Sequence, residues 1–163
     1  MKQKMIEYYS AVAKRTAELS YAEKKKVGAI VVKDDRIISI GYNGMPAGWD
    51  NQCEEWINVP DFVQHPDDVR VYGKPITREE VLHAESNAIA KLAKSSESGE
   101  GATMFVTHTP CMECAKLIYQ AGIDTVYYSE EYKPSKGSGL SFLKASGVEV
   151  HYVEDYIQTL EER

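Results

Sequence analysis

The fold of this chain is indicated most clearly by one stretch, ATMFVTHTPCMECAKLIYQAGIDTVYY, which covers residues 102–128. Apolar runs at 102–107 and 123–128 predict two strands, and the segment between them predicts a helix over 111–122. Strands that alternate with helices are typical of a sheet with helical crossovers. This stretch therefore indicates an α/β fold.

The flanking sequence extends the same pattern. Upstream, it predicts a helix at 5–19, a β-hairpin over 27–41 that turns at Asp34 and Asp35, and a helix that begins at 77 or 83 and ends at 94. Downstream, it predicts a helix at 140–145 and a strand at 148–153. We therefore predict a single domain over 1–163, with a three-layer α/β/α architecture around a mixed five-stranded sheet.

The segment 50–75 breaks this pattern. It is polar, lacks the sustained hydrophobic periodicity of a helix or strand, and is interrupted by Pro60, Pro66 and Gly73. It is either a long loop or an insertion, and loops of this length are uncommon unless they are functional.

Composition narrows the class of protein. With 43% apolar and 27% charged residues, the 163-residue chain has ordinary globular usage. A net charge of −6 repels nucleic acid polymers, and the only tight basic run is Lys24–Lys26. No apolar run approaches the roughly 20 residues of a membrane span. Three cysteines suggest no disulfide framework, so we expect a cytoplasmic protein with reduced thiols.

Two short motifs carry the chemistry, His83-Ala84-Glu85 and the segment 110–114, PCMEC. Cys111 and Cys114 are three apart, which places both sulfurs on one helix face; Pro110 suits the first helical position. The helix dipole there favours the thiolates that a metal requires. Two buried apolar cysteines are the alternative, but His83 offers a third ligand.

The position of Glu85 relative to His83 constrains the helix start. Two residues apart on a regular helix, their side chains would diverge by about 200°, so we predict that the helix core begins near His83. The segment 77–80, TREE, resembles a capping box that would begin the helix earlier. This conflict stays open at the level of sequence.

Two thiolates and one imidazole give zinc three protein ligands, and the remaining position of such a site holds a reactive water. A His-x-Glu motif followed by Pro-Cys-x-x-Cys is the signature of zinc nucleobase deaminases, in which the glutamate is not a ligand. Zinc would activate water for attack on C4 of cytosine, and Glu85 would carry protons to N3 and to the departing amine. A solvated surface carboxylate is the alternative for Glu85.

The chain resembles the deoxycytidylate deaminase family, in cellular and phage forms, from 27 to 153. The resemblance rests on the segments 27–29 (VGA), 41–48 (GYNGMPAG), 83–89 (HAESNAI) and 114–123 (CAKLIYQAGI). It implies a cytidine-deaminase-like version of the predicted fold. It also implies hydrolysis of dCMP to dUMP and ammonia, which supplies dUMP for thymidylate synthesis.

The resemblance also implies roles for individual residues. Asn43 would hydrogen-bond the sugar hydroxyl, the backbone amide of Ala84 would meet the pyrimidine O2, and Tyr132 would stack near the base or sugar. The alternative for 41–48 is a tight turn in which glycine supplies a positive φ. Both interpretations are compatible.

Family members are typically homohexamers that dCTP activates and dTTP inhibits, with Mg²⁺ accompanying the effector, and the resemblance implies the same here. Lys24, Lys25 and Lys26, with Tyr42 and Gly44, are the candidates for effector binding, and a solvated charge run is the alternative for the lysines. Some phage relatives carry a second, structural zinc. This chain offers only Cys53 and His65 there, and two candidate ligands do not make a structural site.

Four other functions compete with this interpretation. A transfer-RNA adenosine deaminase or a deaminase of riboflavin biosynthesis shares the zinc signature, but the acidic chain disfavours the former and the segment 41–44 disfavours both. A nucleoside deaminase differs only in lacking a 5′-phosphate subsite. The residues that could form that subsite cannot be ranked from sequence: Arg15, Arg36, Lys133 and Lys136. A non-catalytic zinc module would have no need of Glu85.

Overall fold

The computed structural model describes residues 1–62, 69–131 and 137–161. Within these residues the chain forms five helices and seven strands. In chain order they are α1 (Gln3–Ala17), β1 (Gly28–Lys33), β2 (Arg36–Tyr42), β3 (Glu54–Phe62), β4 (Val69–Thr77), α2 (Ala84–Leu92), β5 (Thr103–His108), α3 (Met112–Gln120), β6 (Thr125–Glu130), α4 (Leu140–Ala145), β7 (Glu149–Tyr152) and α5 (Val153–Glu161).

Five of the strands form one sheet in the order β2-β1-β5-β6-β7. β1 runs antiparallel to β2 and to β5, whereas β5, β6 and β7 are parallel and are connected through α3 and α4. The predicted mixed five-stranded sheet is confirmed. The carboxyl end of β5 lies beside the start of β1 and the end of β2, because Ala29 pairs with both Val106 and Gly41.

The strands bury alternate side chains on the two faces of the sheet, as their period of two requires. One face carries Ala29, Val31, Met104, Val106 and Val126, which pack with buried residues of α2, α3 and α4. The other face carries Ile30, Val32, Phe105 and Tyr127, which pack with α1 and α5. The predicted three-layer α/β/α architecture is confirmed.

The prediction that 50–75 could be a long loop is wrong, and the alternative of an insertion stays a prediction. The segment forms a two-stranded antiparallel sheet, in which Glu54 pairs with Thr77. Both strands of such a ribbon are edges, so Pro60 and Pro75 can occupy them without breaking a central ladder. The prolines interrupt the alternating pattern that would have predicted these two strands from the sequence.

Two further differences concern helices. α2 begins at Ala84, so the capping box proposed at 77–80 starts no helix; Thr77 ends β4. α5 was not predicted, because the apolar run at 148–153 leads directly into it. Tyr156, Ile157 and Leu160 recur at helical spacing and pack on the α1 face of the sheet. None of the described helices is long and apolar enough to cross a bilayer.

Two glycines allow helices to approach the sheet closely. A Cβ atom on Gly28 would lie 2.3 Å from the carbonyl oxygen of Ala13 in α1. A Cβ atom on Gly41 would lie 2.1 Å from the carbonyl oxygen of Ala84 and 2.5 Å from the backbone nitrogen of Ala88, both in α2. Backbone atoms cannot yield as a flexible side chain can, so Gly41 fixes the distance between β2 and α2.

Gly41→Ala should lower the free energy of unfolding by about 1–3 kcal/mol, because the added methyl group overpacks a backbone contact. Gly44→Ala is the matched control, since nothing lies within 4 Å of the Cβ position at Gly44. We expect that control to stay within about 0.5 kcal/mol of the unmodified chain. Urea unfolding of the three proteins measures both values, and equal midpoints for all three would contradict the close approach.

Candidate active site

The candidate site lies where two helices begin. His83 is the N-cap of α2 and Cys111 is the N-cap of α3, and both have extended backbone conformations, with ψ of 153° and 169°. Because an N-cap residue lies outside the helical geometry, the side chain of His83 does not follow the direction of the helix. His83 and Glu85 can therefore both line one cavity although they are two residues apart in the chain. Pro110 precedes the cap, so its predicted place at the first helical position is wrong.

The described residues contain one group of three or more His, Cys, Asp or Glu side chains that could hold a metal ion, namely His83, Cys111 and Cys114. The Nδ1 atom of His83 is 3.5 Å from the sulfur of Cys111 and 3.4 Å from that of Cys114. A tetrahedral zinc ion with Zn–S near 2.3 Å and Zn–N near 2.05 Å separates such atoms by about 3.6 Å. The three residues therefore fit a zinc ion and leave one coordination position open.

The electrostatic environment of the candidate metal site favours the thiolate form of Cys111. The pKa of the Cys111 thiol is lowered to about 3, chiefly by its hydrogen bond with Cys114 and also by His83. The same hydrogen bond, together with burial, raises the pKa of Cys114. The helix N-terminus adds to the stabilisation of negative charge. A metal ion binds cysteine as the thiolate, so binding at this site would release the remaining thiol protons.

Glu85 lies in the first turn of α2, next to the three metal-ligating candidates. Its side chain is only 4% exposed, and burial raises its pKa above the ordinary value. Ala84, between His83 and Glu85, is fully buried. A carboxyl group with a raised pKa can both accept and return a proton near neutral pH.

A cavity of about 260 Å³ opens over these residues. It brings together residues that the sequence singled out, although they are far apart in the chain: Lys24, Lys25, Asn43, His83, Ala84, Glu85 and Cys111. Lys24 and Lys25 thus lie in the wall of the candidate catalytic cavity.

Asn43 holds the segment that leads into β1. Its Nδ2 atom donates to the carbonyl oxygen of Lys25 at 2.8 Å, and its Oδ1 atom accepts from the backbone N–H of Val27 at 2.7 Å. Gly44 exchanges two backbone hydrogen bonds with Leu82, the residue before His83. Asn43 and Gly44 thereby position two walls of the cavity.

The alternative interpretation of 41–48 was a tight turn in which glycine supplies a positive φ. Among the glycines of this segment, only Gly48 has a positive φ, of 89°. Gly41 is required for close packing, as described above. Tyr42 contributes its backbone carbonyl oxygen, which accepts a hydrogen bond from Asn87 in α2 at 3.0 Å.

Several lining residues were not predicted from the sequence: Val27, Glu54, Thr77, Val81, His108 and Thr109. Glu54 and Thr77 form the base of the β3–β4 hairpin, which could not be assigned while the segment was interpreted as a loop. His108 ends β5 and Thr109 follows it directly. The carboxyl ends of parallel strands are where α/β proteins bind ligands. That rule could have identified them.

Other candidates lie away from the cavity. Arg15 is exposed and pairs with Glu18, and Arg36 pairs with Glu97 at 3.5 Å. Lys26 is exposed and does not line the cavity. Cys53 is buried and does not belong to the metal-ligating group. Four further candidates fall outside the described residues: His65, Tyr132, Lys133 and Lys136.

Residues 3–130 match the model of the cytidine and deoxycytidylate deaminase zinc-binding region. The chain belongs to the cytidine and deoxycytidylate deaminase family. It is 37% identical to the deoxycytidylate deaminase of Enterobacteria phage T4, over 78% of this chain and 79% of that protein. It is 38% identical to the deoxycytidylate deaminase of Homo sapiens, over 79% of this chain and 67% of that protein.

A solved structure gives a similar result. The dCMP deaminase of cyanophage S-TIM5, crystallised with dCMP and dUMP, superposes on this deaminase with a TM-score of 0.76. The two are 40% identical, and the match covers 93% of this chain and 98% of that one. The family and the cytidine-deaminase-like fold that the sequence resemblance implies are therefore confirmed.

Purified deaminase should contain one zinc ion per chain, and Cys111→Ala or Cys114→Ala should remove it, because two ligands hold zinc poorly. Cys53→Ala is the matched control and should retain the metal in full. Elemental analysis by mass spectrometry measures the content. Two zinc ions per chain, one of them lost in Cys53→Ala, would contradict this and would place a second zinc at Cys53.

Proposed function

We propose that this deaminase hydrolyses dCMP to dUMP and ammonia, and so supplies dUMP for thymidylate synthesis. The observation that carries the proposal is the buried residue Glu85 beside three convergent candidate metal ligands, in a cavity that His83, Glu85 and Cys111 line. The deoxycytidylate deaminases named above support dCMP as the substrate.

Each residue has a distinct task in the reaction. Zinc, when held by His83, Cys111 and Cys114, supplies an activated water at its open position. Glu85 would take one proton from that water and deliver it to N3 as the water oxygen bonds C4 of the cytosine ring. It would then take the second proton from the same oxygen and deliver it to the amino group, so that the C4–N bond breaks, ammonia leaves and the oxygen remains as O4 of dUMP. Burial raises the pKa of Glu85, which favours its return of a proton to the substrate.

The substrate is oriented by backbone and amide groups. The N–H of Ala84 is at the first helical position of α2, where helix N–H groups lack an intrahelical partner, and it would meet the pyrimidine O2. A side-chain amide has two N–H donors and two lone pairs. Asn43 uses one N–H donor on the carbonyl oxygen of Lys25 and one lone pair on the N–H of Val27. Its second donor and second lone pair can bond the sugar hydroxyl. Tyr132 would stack near the base or sugar.

Regulation and assembly follow from the family resemblance. We infer a cytoplasmic homohexamer that dCTP activates and dTTP inhibits, each with Mg²⁺. The candidates for effector binding are Lys24, Lys25, Lys26, Tyr42 and Gly44. Lys24 and Lys25 also line the cavity that contains Glu85.

Glu85→Gln should reduce kcat for dCMP by about 10²- to 10⁴-fold while retaining zinc, because the amide keeps the shape of the side chain but cannot exchange the proton. Glu113→Gln is the matched control. Glu113 is an exposed residue of α3 that pairs with Lys116, so that variant should keep full activity. Near-normal turnover by Glu85→Gln would refute the assigned role.

The assay of the native enzyme is release of ammonia and dUMP from dCMP. Turnover should rise with dCTP plus Mg²⁺ and fall with dTTP plus Mg²⁺, if the effectors bind as in the family. Zinc-loaded protein that released no ammonia under any of these conditions would contradict dCMP as the substrate. Transfer RNA and flavin precursors would then be the substrates to test.

A further inference from the structure

Arg78 joins the β3–β4 hairpin to the segment that leads into α2. It follows β4 directly and precedes His83 by five residues, and its side chain is only 15% exposed. Its Nη1 atom donates to the carboxylate of Asp50 at 3.0 Å and to the carbonyl oxygen of Gln52 at 3.2 Å. Its backbone N–H donates to the carbonyl oxygen of Cys53 at 2.9 Å. The side chain and the backbone of Arg78 therefore both hold the chain that enters β3.

Two further carboxylates lie beside the guanidinium group. The Nε atom of Arg78 is 3.7 Å from the carboxylate of Glu55 and 3.6 Å from that of Glu80. The side chains of its three acidic partners are 42% to 71% exposed, so the arginine is the buried centre of the cluster. A planar guanidinium presents its donors in fixed directions, which an ammonium group cannot do. The cluster therefore depends on arginine at this position.

We propose that Arg78 is a positioning residue, which fixes the base of the hairpin so that the substrate meets a preformed cavity wall. Arg78 itself does not line the described cavity, whereas Glu54 and Thr77 at the base of the hairpin do. The inference rests on the proposed function, because it takes dCMP as the substrate whose binding depends on this wall.

Arg78 controls the place of Glu54 from both sides. Cys53, before Glu54 in the chain, accepts the backbone hydrogen bond of Arg78, and Glu55, after it, lies beside Nε. Glu54 also pairs with Thr77, the residue before Arg78, at the base of the hairpin. A shift of the arginine would therefore move both cavity-lining residues of the hairpin.

Glu54 carries the effect to a second part of the wall. Its carboxylate accepts hydrogen bonds from the backbone N–H groups of Glu23 at 3.2 Å and Lys24 at 3.3 Å. These residues lie between α1 and β1, and Lys24 lines the cavity. A wall that is already ordered requires less ordering when the substrate binds, which increases affinity.

His83 is anchored separately from the hairpin. Leu82, the residue before it, exchanges two backbone hydrogen bonds with Gly44 at 2.9 and 3.1 Å. Loss of the Arg78 side chain should therefore loosen the base of the hairpin and leave the candidate metal ligands and Glu85 in place. Substrate binding should weaken, while the rate of the chemical step should be retained.

The first test is the kinetics of zinc-loaded Arg78→Met with dCMP. We expect KM to rise about 10-fold, with kcat and zinc content within about 2-fold of the native values, because the variant loses substrate binding and keeps the reacting groups. Arg78→Lys, which keeps the charge without the fork of donors, should recover only part of the loss.

Two controls separate this effect from charge and from stability. Arg36→Met removes a guanidinium that pairs with Glu97 at 3.5 Å and does not line the cavity, so KM should stay native. Ile6→Val weakens the buried core on the α1 face and should also keep the native KM. An equal rise of KM in Ile6→Val would overturn the inference, as would zinc loss or a fall in kcat alone in Arg78→Met.

Hydrogen exchange followed by mass spectrometry tests the positioning without any substrate. In Arg78→Met, the amides of 20–26 and 50–56 should exchange faster, because Glu54 no longer holds Glu23 and Lys24 firmly, whereas those of 84–92 should keep the native rate. Unchanged rates in 20–26 would overturn the inference even if the enzyme deaminates dCMP. A native enzyme that does not deaminate dCMP would refute the proposed function instead, and the exchange rates would still decide the role of Arg78.

Discussion

The site depends on one geometric constraint, the meeting of two helix N-termini at one edge of the sheet. His83 and Cys111 cap α2 and α3 in extended conformations, so their side chains turn toward each other while Glu85 and Cys114 follow in the first turns. Both helices also direct the positive ends of their dipoles at this point, which favours thiolates and a developing negative charge on the substrate. A shift of either helix would separate the three metal-ligating atoms.

The segment 41–44 maintains that constraint on the side of α2. Gly41 lets the helix backbone touch β2, the carbonyl of Tyr42 binds Asn87, and Gly44 pairs with Leu82 just before His83. The side chain of Asn43 instead bonds the backbone of Lys25 and Val27, in the segment that leads into β1. Four consecutive residues therefore connect His83, a candidate metal ligand, to the wall of the cavity, which gives a physical reason for the sequence pattern that resembles the family.

The sequence predicted the sheet and its helices because strong apolar periodicity dominates there, as in β5, α3 and β6. It predicted the ligand set because the spacing of Cys111 and Cys114 is local. It could not place the helix starts, since the cap conformations of His83 and Cys111 depend on contacts with distant residues. It missed the β3–β4 hairpin because prolines interrupt its pattern, and it could not show that Lys24 and Lys25 share a cavity with Glu85.

The central claim is that His83, Cys111 and Cys114 hold a zinc ion with one position open beside Glu85. X-ray absorption at the zinc edge of the zinc-loaded protein tests it most directly. The account predicts two sulfur scatterers near about 2.3 Å and two nitrogen or oxygen scatterers near about 2.0–2.1 Å. A shell of four sulfurs, or one of only nitrogen and oxygen, would contradict it.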